Sequence, residues 1–245
     1  MKSAVFVVLG ATGGIGSALA RRLASRGALL VLGARNEERL RTLAGETSAE
    51  SCPLDATRFE EVERCVGLAL DRHGRLDGIA NCVGSLILKP AHMTSEAEWA
   101  ATVASNLTSA FATVRAAARP LMAGGGSIVL VATAAARIGL ANHEAIAAAK
   151  AGVIGLVLSA AATYASKGVR VNCVAPGLVR TPLTERITAS EASLKASIAM
   201  HPLGRIGEPD DVAAAIEWLL DPTQKWVTGQ VIGVDGGLGS VRSRS

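Results

Sequence analysis

Short uninterrupted apolar runs alternate with longer mixed stretches along almost the whole chain. The runs are "AVFVVLG" (4–10), "ALLVLGAR" (28–35), "LDGIANCVG" (76–84), "GSIVLVAT" (126–133), "VRVNCVAPG" (169–177) and "GQVIGVDGG" (229–237). Apolar runs this short and this continuous predict strands buried on both faces of a parallel sheet. The stretches near 14–26, 36–44, 57–73, 95–122, 143–167 and 209–220 predict helices between them. Such alternation implies right-handed crossovers and one doubly wound α/β domain of about seven strands, with helices on both faces. No linker, repeat or low-complexity block divides residues 1–245.

Residues 178–208 break the rhythm, mixing polar and apolar residues without a clear strand. An irregular insertion of that length is expected over the carboxyl ends of the strands, where it would serve as a substrate lid. Its Leu183, Ile187, Leu194, Ile198, Met200 and Leu203 point to a moderately apolar small-molecule substrate.

The first strand runs straight into "GATGGIG". Gly10 would permit a tight strand-to-helix turn. Gly14 and Gly16 would bring backbone close to a pyrophosphate and helix close to sheet, and the helix N-terminus offers free N–H groups to the anion. With Thr12, Gly13 and Ile15 in the same loop, this is a dinucleotide-binding turn in the context that motif requires, which makes the fold Rossmann-type. The second strand ends without an acid to hold a ribose 2′-hydroxyl, and Arg35 follows it. An arginine there suits a 2′-phosphate, so NADP(H) is preferred, with NAD(H) possible. Glu37 and Glu38 read as first-turn helix residues.

Composition narrows the picture. The chain is 49% hydrophobic but 3% aromatic, so its core is aliphatic. A net charge of +4, with basic residues scattered apart from "RNEERLR" (35–41) and the closing "VRSRS", gives neither the basic stripe nor the stacking aromatics of a nucleic-acid surface. Cys52, Cys65, Cys82 and Cys173 show no C-x-x-C spacing, and no His/Cys/Asp/Glu cluster has metal-ligand spacing. No G-x-S-x-G elbow suggests hydrolysis. No signal-peptide pattern opens the chain, and no apolar run reaches the ~18 residues of a membrane helix. A soluble, cytoplasmic protein without a membrane partner is the expectation.

Several further motifs, in order and spanning nearly the whole chain, carry a resemblance. They are "PLDA" with Asp55, "NCVG" (81–84), "SNLTSAF" with Asn106, "VRVNCVAPGLVRTPL" and the closing "VTGQVIGVDGG". With "GATGGIG" they strongly resemble the short-chain dehydrogenase/reductase family. The resemblance implies a nicotinamide cofactor held with help from Asp55 at the adenine, and from Asn81, Gly84, Pro176, Gly177 and Thr181. It also implies carbonyl reduction or alcohol oxidation by an Asn–Ser–Tyr–Lys set. Asn106 matches the asparagine, and Lys150 the lysine that binds the nicotinamide ribose and lowers the tyrosine's pKa. Thr133 stands at the serine position, thirteen residues before Ile146, which occupies the tyrosine position.

Isoleucine has no proton to give. The only tyrosine, Tyr164, lies eighteen residues further on, about 27 Å along a helix, and reads as a packing residue. His143 is the candidate replacement: a helix starting near Asn142 would put residues 143, 146, 147 and 150 on one face. Alternatively Asn142 is the N-cap, His143 a half-exposed first-turn residue and Glu144 a dipole partner. A cofactor-loaded but catalytically silent protein, acting as sensor or partner subunit, is the other reading of the missing tyrosine. His92 could line the substrate mouth; His73 and His201 read as surface positions. The alanine-dense helices at 100–122 and 143–167 are expected to support a homo-oligomer, a dimer or tetramer.

Overall fold

The computed structural model describes residues 1–241, so the closing basic run lies outside it except for Val241. Seven parallel strands form one sheet: β1 (Val5–Leu9), β2 (Leu29–Ala34), β3 (Glu50–Pro53), β4 (Gly78–Asn81), β5 (Gly126–Val131), β6 (Val169–Pro176) and β7 (Val231–Val234). Their order is β3-β2-β1-β4-β5-β6-β7. The strand order reverses between β1 and β4, which places a ligand crevice at the carboxyl ends of those two strands.

The pleat sorts the apolar runs into two cores. Val5, Val7 and Leu9 face one side, with α3 (Phe59–His73), α5 (Ser109–Leu121) and α6 (Glu144–Tyr164). Phe6 and Val8 face the other, with α1 (Gly14–Ser25), α2 (Glu37–Thr47) and α9 (Pro209–Leu220). Because both faces are covered, the strands carry apolar residues at consecutive positions. Across the second layer, buried Glu217 of α9 accepts from Arg22 of α1 at 2.6 Å and pairs with Arg26 at 3.1 Å.

Four segments differ from the sequence expectation. Strand β3, "ESCP", carries a glutamate, a serine and a proline, so it has no apolar signature; the sheet edge tolerates it. The helix expected over 95–122 is α4 (Glu96–Val103), a π-helical turn (Ala104–Thr108) and then α5. The region 178–208 is not irregular: a 3-10 turn at Pro182–Thr184 leads into α7 (Glu185–Thr188) and α8 (Glu191–Met200). A β-bridge between Val179 and Gly207 closes its base. Finally, residues 144–167 are long and apolar enough, at mean hydropathy 1.9, to cross a membrane by length and composition. Charged Lys150 interrupts that run in the sequence. In the fold, α6 is a core helix whose Val153, Val157, Ala160 and Ala161 are buried against the sheet.

Candidate active site

Gly10, at φ +72°, turns the chain from β1 toward α1. A Cβ there would meet the Cys82 carbonyl carbon at 2.8 Å, and one at Gly16 would meet the Gly10 oxygen at 2.2 Å. A Cβ on Gly14 would press on Thr181 Cγ2 at 2.7 Å. These glycines are therefore fixed by backbone shape and by crowding. Helix α1 begins after Gly13 with no side-chain cap among the described residues and no acid in its first turn. Such an end leaves N–H groups and a partial positive charge for an anion.

Beyond the end of β2, Arg35 is exposed and makes no ion pair among the described residues. Asn36 caps α2, its side chain accepting from Arg39 N at 2.9 Å, which leaves Glu37 and Glu38 in the first turn. Asp55 follows β3. Its carboxylate accepts from the Thr57 N–H (3.0 Å) and hydroxyl (2.9 Å), and those bonds, with Arg35 and Arg58 nearby, hold its pKa below the usual value. Asn81, at the end of β4, is buried and internally engaged: it donates to Thr113 Oγ1 at 2.9 Å and accepts from the Val83 N–H at 2.8 Å. Its side chain fixes the strand-to-loop turn.

A cavity of about 260 Å³ opens beside this loop. Asn106, Thr133, Ile146, Lys150 and His143 all line it, as do Ile15, Gly84, Pro176, Gly177 and Thr181. The π-turn carries Asn106, which is 1% exposed. Its Nδ2 donates to Ser85 Oγ (3.0 Å) and to the Thr102 carbonyl (2.9 Å), and its Oδ1 accepts from the Ser85 N–H at 3.3 Å. π-turns are often found at functional sites, since the wider turn redirects a side chain. Thr133 accepts from the Ala135 N–H at 3.3 Å and reaches the Pro176 carbonyl only at 3.5 Å. Its hydroxyl proton is weakly held.

Lys150 is 6% exposed and donates from Nζ to the Val131 carbonyl at 2.7 Å. Burial disfavours the charged ammonium and lowers its pKa to about 8. The thiols of Cys82 and Cys173, beside it, are pushed up to about 12 by burial and stay neutral. A Cβ on Gly84 would lie 3.0 Å from Asn106 Oδ1 and 3.6 Å from Lys150 Nζ, so a side chain there would occupy the space between them. Ile146, one turn before Lys150, is 4% exposed and presents hydrocarbon to the cavity.

The histidines need correction. Helix α6 starts at Glu144, so His143 is itself the N-cap, and Asn142 precedes it at φ +63°. His143 is half-buried, its Nδ1 paired with the Ala141 carbonyl at 2.7 Å. His92 sits on an exposed 3-10 turn (Ala91–Met93) and is not in the cavity wall. His73 is half-buried, and its Nε2 is a buried atom without a partner among the described residues. His201, read as a surface residue, is 3% exposed and lines the cavity. Its Nδ1 pairs with the Ser197 carbonyl at 2.6 Å and its Nε2 accepts from the Leu178 N–H at 3.2 Å. Its Nδ1 partner is the backbone carbonyl four residues back in α8, a contact that residue types alone do not announce. From that region Leu183, Ile187 and Met200 reach the cavity wall, whereas Leu194, Ile198 and Leu203 do not. Tyr164, at the end of α6, packs on the core as expected.

The buried lysine predicts a pH-dependent stability. Its folded pKa of about 8 lies below the ordinary lysine value of 10.5, so the charged form's burial cost is fully present below pH 8. That cost fades as pH rises toward 10.5, where the unfolded lysine also becomes neutral; at 1.36 kcal/mol per unit it is roughly 3 kcal/mol. Lys150→Met removes both this cost and the bond to Val131, so thermal melts at pH 7 should show Tm raised by roughly 5 °C. The gain should narrow steadily in melts between pH 8 and 10; a gain independent of pH contradicts the assignment.

Known proteins match nearly the whole chain. The profile described as enoyl-(acyl carrier protein) reductase matches residues 10–239. A 3-oxoacyl-(acyl-carrier-protein) reductase from Thermotoga maritima is 34% identical over 97% of this chain and 98% of its own. Cis-4-hydroxycyclohexanecarboxylate dehydrogenase from Sinomonas cyclohexanicum is 38% identical over 97% of each. Among solved structures, a short-chain type dehydrogenase/reductase from Mycobacterium ulcerans superposes with a TM-score of 0.94 at 32% identity, covering 98% of this chain and 90% of that one. Actinorhodin polyketide ketoreductase, solved as a variant with NADPH, gives 0.92 at 30% identity, covering 98% and 100%. The chain belongs to the short-chain dehydrogenase/reductase family of oxidoreductases.

Proposed function

We propose that this protein is an NADP(H)-dependent oxidoreductase that interconverts a carbonyl and an alcohol on a moderately apolar small molecule, using a proton donor other than tyrosine. The observation that carries the reading is the meeting of Asn106, Thr133 and Lys150 on one cavity, next to a loop whose close approaches only glycine allows. When bound, the cofactor supplies or accepts the hydride. Gly10, Gly14 and Gly16 with the uncapped start of α1 fit its pyrophosphate, and unpaired Arg35 favours a 2′-phosphate over the bare ribose of NAD(H). Thr133, whose oxygen accepts from Ala135 and whose hydroxyl donates only a long 3.5 Å bond to the Pro176 carbonyl, can turn that proton to polarise a substrate carbonyl. The solved ketoreductase with NADPH and the reductase relatives support this assignment.

Residues 178–208 are proposed as the substrate lid, presenting Leu183, Ile187 and Met200 to the ligand. His143 has a second task as the start of α6 and holds the Ala141 carbonyl, which makes it an accessory at the mouth of the cavity. Self-association is proposed through α5 and α6. The alanines expected to face a partner, such as Ala112 and Ala117, are buried within the monomer, and exposed Phe111 and Leu158 are left to make that contact.

Four variants test the reading. Gly16→Ala should weaken NADPH binding at least tenfold by nicotinamide fluorescence, because the new Cβ overlaps backbone. Gly45→Ala, inside α2 where a Cβ meets nothing within 4 Å, should leave binding unchanged and add ~0.5–1 kcal/mol of stability. Ile146→Tyr should raise kcat for ketone reduction ~10²-fold or more, the contribution of a positioned acid. No gain in a folded, NADPH-binding Ile146→Tyr protein would favour the silent, cofactor-loaded alternative. His143→Ala should change kcat less than about threefold; a loss near 10² would restore His143 as the donor.

A further inference from the structure

We infer that a cleft at the amino ends of β4, β5 and β6 is a second ligand site, one that takes the phosphate group of a small soluble phosphomonoester. It lies at the end of the sheet opposite the active-site cavity, and it goes beyond the oxidoreductase reading above.

The cleft, of about 500 Å³, has the size of a small-molecule site. Arg75 enters it from the turn before β4, Lys167 and Arg170 from around the start of β6, and Lys225 from the segment leading to β7. These four cations meet one carboxylate in the wall, Asp77, which is already spent. Its Oδ1 accepts from Arg75, and its Oδ2 accepts from the Val5 N–H at 2.8 Å. Nearby Asp221 accepts from the N–H and hydroxyl of Thr223 at 2.8 and 2.7 Å. Lys167 and Lys225 are exposed, and neither forms an ion pair or side-chain hydrogen bond among the described residues.

Arg170 anchors the set. It is 8% exposed, and no carboxylate among the described residues lies within ion-pairing distance of it. It donates to the Leu219 and Asp221 carbonyls at 2.9 and 3.2 Å, which ties off the carboxyl end of α9. That duty occupies two of the five guanidinium N–H groups. Cations at helix carboxyl ends often do no more than answer the helix dipole. Lys167 and Lys225, however, donate to no carbonyl among the described residues, so their charge is left for a ligand.

Backbone completes the wall. Gly125, at φ +76°, and Gly126, at φ +151°, hold the turn into β5 in a shape that L side chains rarely adopt. The Gly125 N–H has no acceptor among the described residues, and a Cβ on Gly124 would meet nothing within 4 Å. An anionic oxygen can therefore approach this turn closely. A planar guanidinium and two lysine point charges are partners suited to a phosphate dianion. Exposed Met122 and Pro222, in the same wall, offer apolar surface to the organic remainder.

Isothermal titration with phenyl phosphate, at fixed ionic strength and both with and without saturating NADPH, tests the inference. Binding should saturate with a Kd below ~1 mM and agree within about twofold between the two conditions. Inorganic phosphate lacks the ring and should bind about tenfold more weakly, and acetate more weakly still. Lys167→Gln combined with Lys225→Gln alters two exposed side chains, so Tm should stay within about 2 °C while affinity falls at least tenfold. Arg170→Lys removes the fork and should weaken binding to a similar degree. The lysine pair decides should that variant fail to fold. Absence of saturation, an unchanged affinity in the folded double variant, or binding abolished by NADPH each overturns the inference, the last by assigning the anion to the cofactor turn. Inorganic phosphate or acetate binding as tightly as phenyl phosphate overturns the phosphomonoester assignment. Capture by phosphatidic acid vesicles without phenyl phosphate binding gives the cleft to a lipid headgroup and overturns the soluble ligand.

Discussion

An ammonium group held 6% exposed against the end of a parallel sheet is the constraint around which this site is organised. Burying such a charge is costly unless it is partnered, and the protein supplies one backbone acceptor, Val131 at the end of β5. The neighbours follow from that position. Gly84 leaves that space clear, because a Cβ there would crowd Asn106 Oδ1 at 3.0 Å and touch Lys150 Nζ at 3.6 Å. Asn106 is brought there by a π-turn that interrupts an otherwise α-helical path from Glu96 to Leu121. Cys82 and Cys173 are small enough to sit beside the lysine, and burial keeps them uncharged. Stability given up here is recovered elsewhere, in two aliphatic cores and in the buried Glu217 that ties α1 to α9.

How much of this could be read from the residues depended on whether local chemistry or tertiary context set the structure. The turn from β1 into α1 was legible because its glycines answer to a local need, a left-handed Gly10 and a Gly16 pressed against the backbone of the same loop. Strands β1, β2, β4, β5 and β6 announced themselves because a sheet covered on both faces requires unbroken apolar runs. Strand β3 did not: an edge strand of four residues, "ESCP", has only its register with β2 to define it. The lid helices escaped for a related reason. Helix α8 buries one serine, Ser197, and so carries almost no apolar stripe to read.

His201 shows the limit most sharply. Its sequence neighbourhood, "SIAMHPLG" (197–204), carries no buried stripe to point inward, yet the histidine is buried because two distant segments make room for it. A Cβ on Gly177 would fall 2.5 Å from its Nε2, and one on Gly236 would lie 3.6 Å from its Cβ. The Leu178 N–H then reaches Nε2 across that gap. Burial of this kind is a property of three segments together. The same holds for α6, whose alanines make it resemble a membrane helix until the sheet it packs on is known.

Ile146 joins these threads. A hydroxyl one turn before Lys150 would offer the ammonium a polar neighbour, and in water-poor surroundings such a neighbour favours the charged form. Isoleucine offers no such neighbour and adds hydrocarbon to surroundings whose burial already lowers the pKa of Lys150. Position 146 therefore bears both on whether a hydroxyl faces the cavity and on the surroundings of the ammonium one helical turn further on.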